Sequence, residues 1–512
     1  MILGDDEANG ELAARHGATL DSLFRRAGVR HAHALALVDS PDRYRVTDGA
    51  PRSLTYADAD RAISAVAAQL RRLGLPTDAM VAIHLGNTVE SVIALLGVLR
   101  AGMIAVPLPL LWRKQEIVAA LGQLGAKAII TAAHVGDTRT AEIAIEAAVE
   151  LFTIRHVCGF GRTLPDGVVP LDERTPVNGD FSHPPARTGH AAAHVAVVTF
   201  ESTPKGPVAV ARNHTQLIAG GLAVSLEAGH PEDAAILTAV PLTSFAGLAL
   251  ALVPWLLSGG ALHLHHPFEP DAFAAQRQEI GAGLVVLPGA TLPALGHPAR
   301  PGGETIVALW RAPERLASQP AWHGSAALVD VAAFGELGLI PSRRMPSAQP
   351  AGVPFGVAGA VNAVAKDGTP LIETMRTVDG TLGLRGAMVP VDAFPPGAEQ
   401  GFAPFLAANP EGLIDTGLAC RRRLDTNTLT MSAPVPGMKA VGGYRFYEGA
   451  LEDTVAAIDA DATIVALPDA TLGQRLAGSA RDRTAVIGIL QAAGANPLIA
   501  GAFRPRGAEP TA

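Results

Sequence analysis

SLTYADADRAISAVAAQLRRLGLPTDAMVAIHLGNTVESVIALLGVLRAGMIAVPLPLLWRKQEIVAALGQLGAKAIIT, residues 53–131, decides the fold. Residues 56–73 carry apolar side chains at helical spacing over a polar face, which predicts a helix. Residues 80–85 are a short β-rich run, 90–100 read as helix and 104–107 as extended chain. Residues 114–124 are helical again and 128–131 extended. Helix and strand in turn, with short Gly/Pro punctuation, predict βα units around a mostly parallel sheet.

The rest of the chain bounds what such a fold does. At 512 residues it is too long for one ordinary domain and long enough to bury a large core. Its 40 basic and 48 acidic residues give a net charge of -8, and no basic block or tail offers a nucleic acid a footing. Cys158 and Cys420 lie far apart, so neither a disulfide framework nor a zinc-ligand spacing is present. The opening MILGDDEANGELAARHG is acidic and has no apolar run, so it does not read as a signal peptide. Residues 234–266 contain no Asp, Glu, Lys or Arg, a length that suits a bilayer. Pro241, Pro254 and Gly259-Gly260 split that run into pieces of buried-element length, so a buried strand and helix is the expectation. Residues 165–190 read as a connecting loop, and 425–437 (DTNTLTMSAPVPG) as a linker to a last small unit.

Residues 53–131, with their LTY-led helix, VAI strand, Asn-x-x-Glu turn and AG followed by VPL, closely resemble the start of the AMP-dependent acyl-CoA synthetases. PLTSFAGLAL from Pro241, RAPERL from Arg311, FGELG from Phe334, GLIDTGL from Gly412 and GGYRFYEGALEDTV from Gly442 resemble later segments of that adenylate-forming ligase family, in order. The resemblance implies an α/β fold: a large N-terminal domain of stacked βα sheets, residues 1–432, and a small, shortened α+β domain, 433–512. It also implies chemistry in two steps. A carboxylate attacks the α-phosphate of ATP to give an acyl-adenylate, and a thiol, usually CoA, then displaces AMP. Such a site needs cations and N–H groups on the phosphates, a carboxylate for Mg²⁺, clearance for adenine and an acceptor for the ribose hydroxyls.

Measured against those needs, the family's motifs are eroded. VVTFESTPKGPVAVARNH, residues 197–214, stands where a T-S-G-T-T-G-x-P-K-G loop is expected. Counted back from His214, Thr203 and Pro207 match, Val208 falls on the lysine and Ser202 and Lys205 on glycines. Aligned on Pro204-Lys205-Gly206 instead, the lysine is kept but the upstream loop is shortened. Either register loses flexible glycines and gains the anion Glu201. Trp310 and Arg311 stand before Ala312-Pro313, where small residues clear space for adenine. Phe334 and Gly335 fit the family's next motif, while Leu337 and Gly338 replace its hydroxyl and metal carboxylate, with Glu336 nearby at another offset. Leu418 follows Thr416-Gly417 in place of the ribose aspartate, leaving Asp415 as stand-in. Ala433-Pro434-Val435 replaces the basic hinge, and Arg504 or Arg506 would have to serve for the final lysine. Glu448 and Glu452 are expected to face solvent.

The reading is an acyl- or aryl-CoA synthetase-like protein that has lost ATP-dependent activation and retains an acyl, aryl or CoA-ester ligand as a non-catalytic partner. Its nucleotide-binding remnant is Ser202, Thr203, Lys205, Gly206, Gly335, Glu336, Asp415 and Thr416, with Lys205 and His214 as catalytic candidates and Glu336 as the metal candidate. Ser244, at a position often held by histidine in the family, joins Phe245 and Leu248 as acyl-pocket candidates. No cofactor is expected; ATP, Mg²⁺ and CoA belong to the alternative, an active ligase with divergent motifs. A second alternative, an ATP-independent acyl transferase or thioesterase, needs Ser202 or Ser244 paired with His214. A small-molecule ligand and a protein partner, no nucleic acid, no membrane span, a monomer or homodimer, and a cytoplasmic location complete the expectation.

Overall fold

Thr55 sets the first large helix. Its hydroxyl accepts the Asp58 N–H at 3.1 Å while the Asp58 carboxylate accepts the Thr55 N–H at 3.3 Å, so Tyr56–Arg72 begins on a reciprocal cap. This helix packs on Val89–Arg100, where Gly97 lets the two backbones approach; a Cβ there would lie 2.7 Å from Val66 Cγ1. Every residue of Val89–Arg100 is buried, so the helix needs cover on all sides. Each buried Val, Ile or Leu along it contributes about 1.5–3 kcal/mol.

The computed structural model describes residues 17–171, 184–185, 189–295, 303–359, 365, 368–390, 408–469 and 472–505. Cover for the central helices comes from two sheets. One runs Val168–Pro170, His156–Phe160, Ala128–Ala132, Met80–His84, Ile104–Pro107, Val195–Thr203 and Gly206–Asn213, parallel except for the last pair. The other orders Gly338–Arg344, Ala327–Phe334, Thr305–Trp310, Leu284–Pro288, Ile236–Thr238, Leu262–Leu264, Leu35–Val38 and Ser53–Thr55, parallel inside with an antiparallel strand at each edge. A six-stranded antiparallel sheet follows, with Ile414–Arg423 and Thr381–Arg385 at its centre.

The charge-free run of residues 234–266 divides as its prolines and glycines require. It holds the strand Ile236–Thr238, a helical stretch over residues 245–258 and the strand Leu262–Leu264. Pro254 cannot donate to the turn before it, and Leu248–Leu252 widens into a π turn there. Gly259, at φ 78°, stops the helix. Among the described residues no helix is long and apolar enough to cross a membrane.

Two expectations change. Within residues 165–190, Val168–Pro170 is a strand, and 172–183 and 186–188 lie outside the described residues. The expected linker at 425–437 begins as a turn and then forms the strand Thr428–Met431, paired with Ile414–Arg423. The alternation of buried Leu429 and Met431 with threonines is a strand pattern, which the following prolines masked.

From Met438 the chain builds a hairpin, Met438–Val441 with Tyr444–Tyr447, then a second hairpin, Thr463–Asp469 with Gly473–Ser479, and three short helices. They share a core that includes Phe446, Leu451, Val455, Leu490 and Phe503. Among the ties that dock this unit on the larger one, Tyr444 packs on the cluster holding Trp112 and Phe200, and Asn496 Nδ2 donates to Glu116 Oε1 at 2.8 Å.

Candidate functional site

The stretch expected to cradle phosphates is a closed β-hairpin. Glu201 pairs with Val208, Ser202 with Pro207 and Thr203 with Gly206, leaving only Pro204 and Lys205 at the tip. Proline second and glycine fourth suit a tight turn, and Thr203 Oγ1 donates to Gly206 O at 2.7 Å to hold it. Backbone N–H groups spent on a ladder cannot converge on a ligand. Lys205 is exposed at the tip.

Glu201 lies further back and is buried. Its Oε1 accepts from Arg445 Nη1 at 2.8 Å, and its Oε2 accepts from the Glu336 N–H. Gly335 makes the second contact feasible: at φ 60° it carries no Cβ, which would fall 1.9 Å from Oε2. Burial raises the Glu201 carboxyl above the usual glutamate range, and Arg445 opposes the shift.

Glu336 sits in the turn between the strands Ala327–Phe334 and Gly338–Arg344. Its Oε2 accepts the Phe245 N–H at 2.7 Å, and its backbone carbonyl accepts from Arg212 Nη2. A carboxylate capping a helix N-terminus is favourable, and that use turns this metal candidate inward. Among the described residues no group of three or more His, Cys, Asp or Glu side chains is placed to hold a metal ion. The Arg212 guanidinium lies 3.8 Å from the Phe245 ring centre, and burial pushes it down to about 10.

Arg311 completes the cluster. Its Nη2 donates to Ser244 Oγ at 2.6 Å, its carbonyl accepts from Arg445 Nη2 at 3.2 Å, and burial lowers its pKa. Trp310, expected beside it as an obstruction, turns into the core instead, where Nε1 donates to Asp330 at 2.8 Å. Gly289 offers it a bare face, since a Cβ there would lie 2.3 Å from the indole. Only Arg311 of the two reaches the site.

The remaining candidates scatter. Ser202 and His214 stand at opposite ends of the hairpin, about 20 Å apart by strand rise. His214 Nδ1 accepts the Leu20 N–H at 3.2 Å. Ser244 accepts from Arg311 and from the Gly247 N–H at 3.2 Å, and neither donor can take its proton. Phe245 and Leu248 are 0% exposed and belong to the core. Asp415 is exposed and accepts the Gly417 N–H at 2.8 Å; Thr416 Oγ1 donates to Leu382 O at 2.9 Å within the six-stranded sheet. Leu418 is buried, and Glu448, Glu452 and Arg504 are exposed. Arg506 lies outside the described residues.

Structure thus gathers Glu201, Glu336, Ser244 and Arg311 and adds Arg212 and Arg445, which sequence reasoning missed. The signal for Arg212 was faint: an arginine between Ala211 and Asn213 at the end of an apolar strand. Three arginines meet two glutamates here, and Glu314 also acts on Arg445.

A model described as AMP-binding enzyme matches residues 24–295. Chondramide synthase cmdD of Chondromyces crocatus is 29% identical over 244 residues, 46% of this chain and 6% of that protein. The medium-chain fatty-acid–CoA ligase of Escherichia coli (strain K12) is 24% identical over 235 residues, 46% of this chain and 41% of the ligase. The chain therefore spans under half the length of both relatives. Among solved structures, the amide bond synthetase McbA of Marinactinospora thermotolerans superposes with a TM-score of 0.66 at 19% identity, covering 93% of this chain and 94% of that one. An o-succinylbenzoate CoA synthetase of Bacillus subtilis gives 0.64 at 16% identity, covering 89% and 87%.

Proposed function

The chain belongs to the AMP-binding enzyme family, and from that premise we propose that it no longer activates carboxylates with ATP and acts as a binding protein for an acyl, aryl or CoA-ester ligand. One observation carries the reading: the Glu201 carboxylate, held by the Glu336 N–H and Arg445, brings its own anion to the region where the family receives phosphates. Two unit charges about 4 Å apart with surface-like screening repel by several kcal/mol, so an entering triphosphate must displace that carboxylate or meet it. The closed Thr203–Gly206 turn and the inward use of Glu336 work in the same direction. Among the described residues, this hairpin and turn then offer neither a Gly-rich loop nor a free metal carboxylate for the transition-state charge.

Calorimetric titration with Mg·ATP and then AMP tests this directly. No heat from folded protein is expected, with a rise in melting temperature on adding an acyl-CoA or free acid. Micromolar to low-millimolar nucleotide binding would overturn it and favour an active ligase, a reading that family membership supports and carboxylate-dependent pyrophosphate release would establish. The thioesterase reading is disfavoured because Ser202 and His214 stand at opposite ends of the hairpin and Ser244 accepts from Arg311 and the Gly247 N–H.

A further inference from the structure

Both groups that hold the Glu201 carboxylate lie outside its own hairpin. One is the N–H of Glu336, in the turn of the second sheet; the other is Arg445, on the Tyr444–Tyr447 strand beyond Met438. We propose that Glu201 is a tethered anion that latches the C-terminal hairpin onto the N-terminal sheets, and that its cradle is a small-anion site able to accept a free carboxylate or phosphate once Glu201 is removed.

The cradle has the parts such a site requires. A guanidinium and a backbone N–H converge on one carboxylate, a charge-assisted donor set that suits carboxylates and phosphates alike. The side chains of Glu201 and Arg445 are 10% and 14% exposed, so the pair is shielded from most solvent screening. Gly335 keeps the floor open, because any side chain there would occupy the anion's position. Arg212 and Arg311 stand close enough to act on the same carboxylate electrostatically, and Glu336 and Glu314 are the other carboxyl groups acting on the arginines of this cluster. Deleting Glu201 therefore removes one negative charge from beside Arg445, and a mobile anion is the direct remedy.

Arg445 makes this an inter-unit device. Its second nitrogen donates to Arg311 O at 3.2 Å, and Gly443 lies against the Arg311 stem, where a Cβ would fall 2.8 Å from Cδ. The hairpin is thus drawn onto the site from both sides of Arg445. Further docking ties, among them Tyr444 on the Trp112 cluster and Asn496 on Glu116, do not use the carboxylate.

Hydrogen exchange of amides 438–447 in the full chain tests the latch without nucleotide, so its failure is separable from a failed ATP reading. Glu201→Ala is expected to speed exchange there by about tenfold, the scale of one charge-assisted bond. Tens of millimolar acetate or inorganic phosphate should return that variant toward wild-type rates, while chloride at equal ionic strength should not, and wild type should not respond. Acetate rescue without phosphate rescue identifies a carboxylate site, and the reverse a phosphate site. Arg445→Met should loosen the same amides and resist rescue by either anion. Wild-type exchange in Glu201→Ala, no rescue by acetate or phosphate, or equal rescue of Arg445→Met would overturn the proposal. Should Glu201→Ala not fold, unchanged exchange in Arg445→Met would do so alone.

Discussion

At the scale of single residues, two positions separate the closed site from an open one. Gly335 holds φ 60° and leaves 1.9 Å between a would-be Cβ and the Glu201 carboxylate. Gly335→Ala meets both penalties: the left-handed backbone alone costs about 1–2 kcal/mol, and the displaced carboxylate takes the ionic partner from Arg445, which keeps only its bond to Arg311 O. An unfolding free energy from urea titration lower by at least that amount is expected, and stability within about 0.5 kcal/mol of wild type would show that the turn relaxes freely. Lys205 is the opposite case. Exposed at the hairpin tip, it is predicted to tolerate Lys205→Ala with stability within about 0.5 kcal/mol and nucleotide titrations unchanged. A fall in nucleotide affinity in that variant would restore Lys205 to a phosphate-binding role.

At the scale of elements, charged side chains inside the core fix how helices dock. Arg100, at the end of the buried Val89–Arg100 helix, donates from Nε to Asp21 at 2.9 Å and from Nη1 to Ser64 at 2.8 Å, joining three helices. Arg100→Ala would leave buried Asp21 with Arg25, which donates to it at 3.1 Å, as its remaining ionic partner, so a loss of about 1.5–3 kcal/mol in denaturant unfolding is expected; a loss below about 1 kcal/mol would mean that Arg25 and water replace the arginine. Elements of this kind were legible in the sequence because their signals are local. The helix expected at 56–73 spans Tyr56–Arg72, and the extended run at 104–107 is the strand Ile104–Pro107. What escaped is non-local. Glu201 was recognised as an anion in the wrong kind of loop, but its partner lies 244 residues away and leaves no trace in spacing. The same holds for Arg212, which touches Glu336 124 residues on. Trp310 shows the converse error: its size was read correctly and its direction was not, because Asp330 and the bare face of Gly289 decide it. Thr428–Met431 was lost to a compositional signal, the prolines after it, although its own alternation was correct.

At the scale of the whole molecule, burial of neutral histidines sets the response to acid. His84, His230, His263 and His266 are all pushed down to about 4, chiefly by burial, with Arg113 adding to the shift at His84. A base whose folded pKa is depressed stays neutral in the native state while the unfolded chain takes up its proton near the ordinary value of about 6.5. The stability these residues lend is therefore complete above about pH 6.5 and is lost as pH falls from there toward 4. Asp39 works the other way. Burial and Glu90 raise it to about 6, so the native state takes up that proton first and gains stability relative to the unfolded chain as pH falls below 6. The histidine loss runs through the window between about pH 6.5 and 4, and Asp39, with the raised carboxyls of Glu116, Glu201 and Glu314, offsets part of it. His84 isolates the effect, being 0% exposed. His84→Gln removes one titrating group, so the fall in unfolding free energy between pH 7 and 5 should be shallower than in wild type by up to about 1.4 kcal/mol per pH unit. Parallel pH profiles for the two proteins would mean that His84 keeps its proton in the folded chain, against its complete burial beside Arg113.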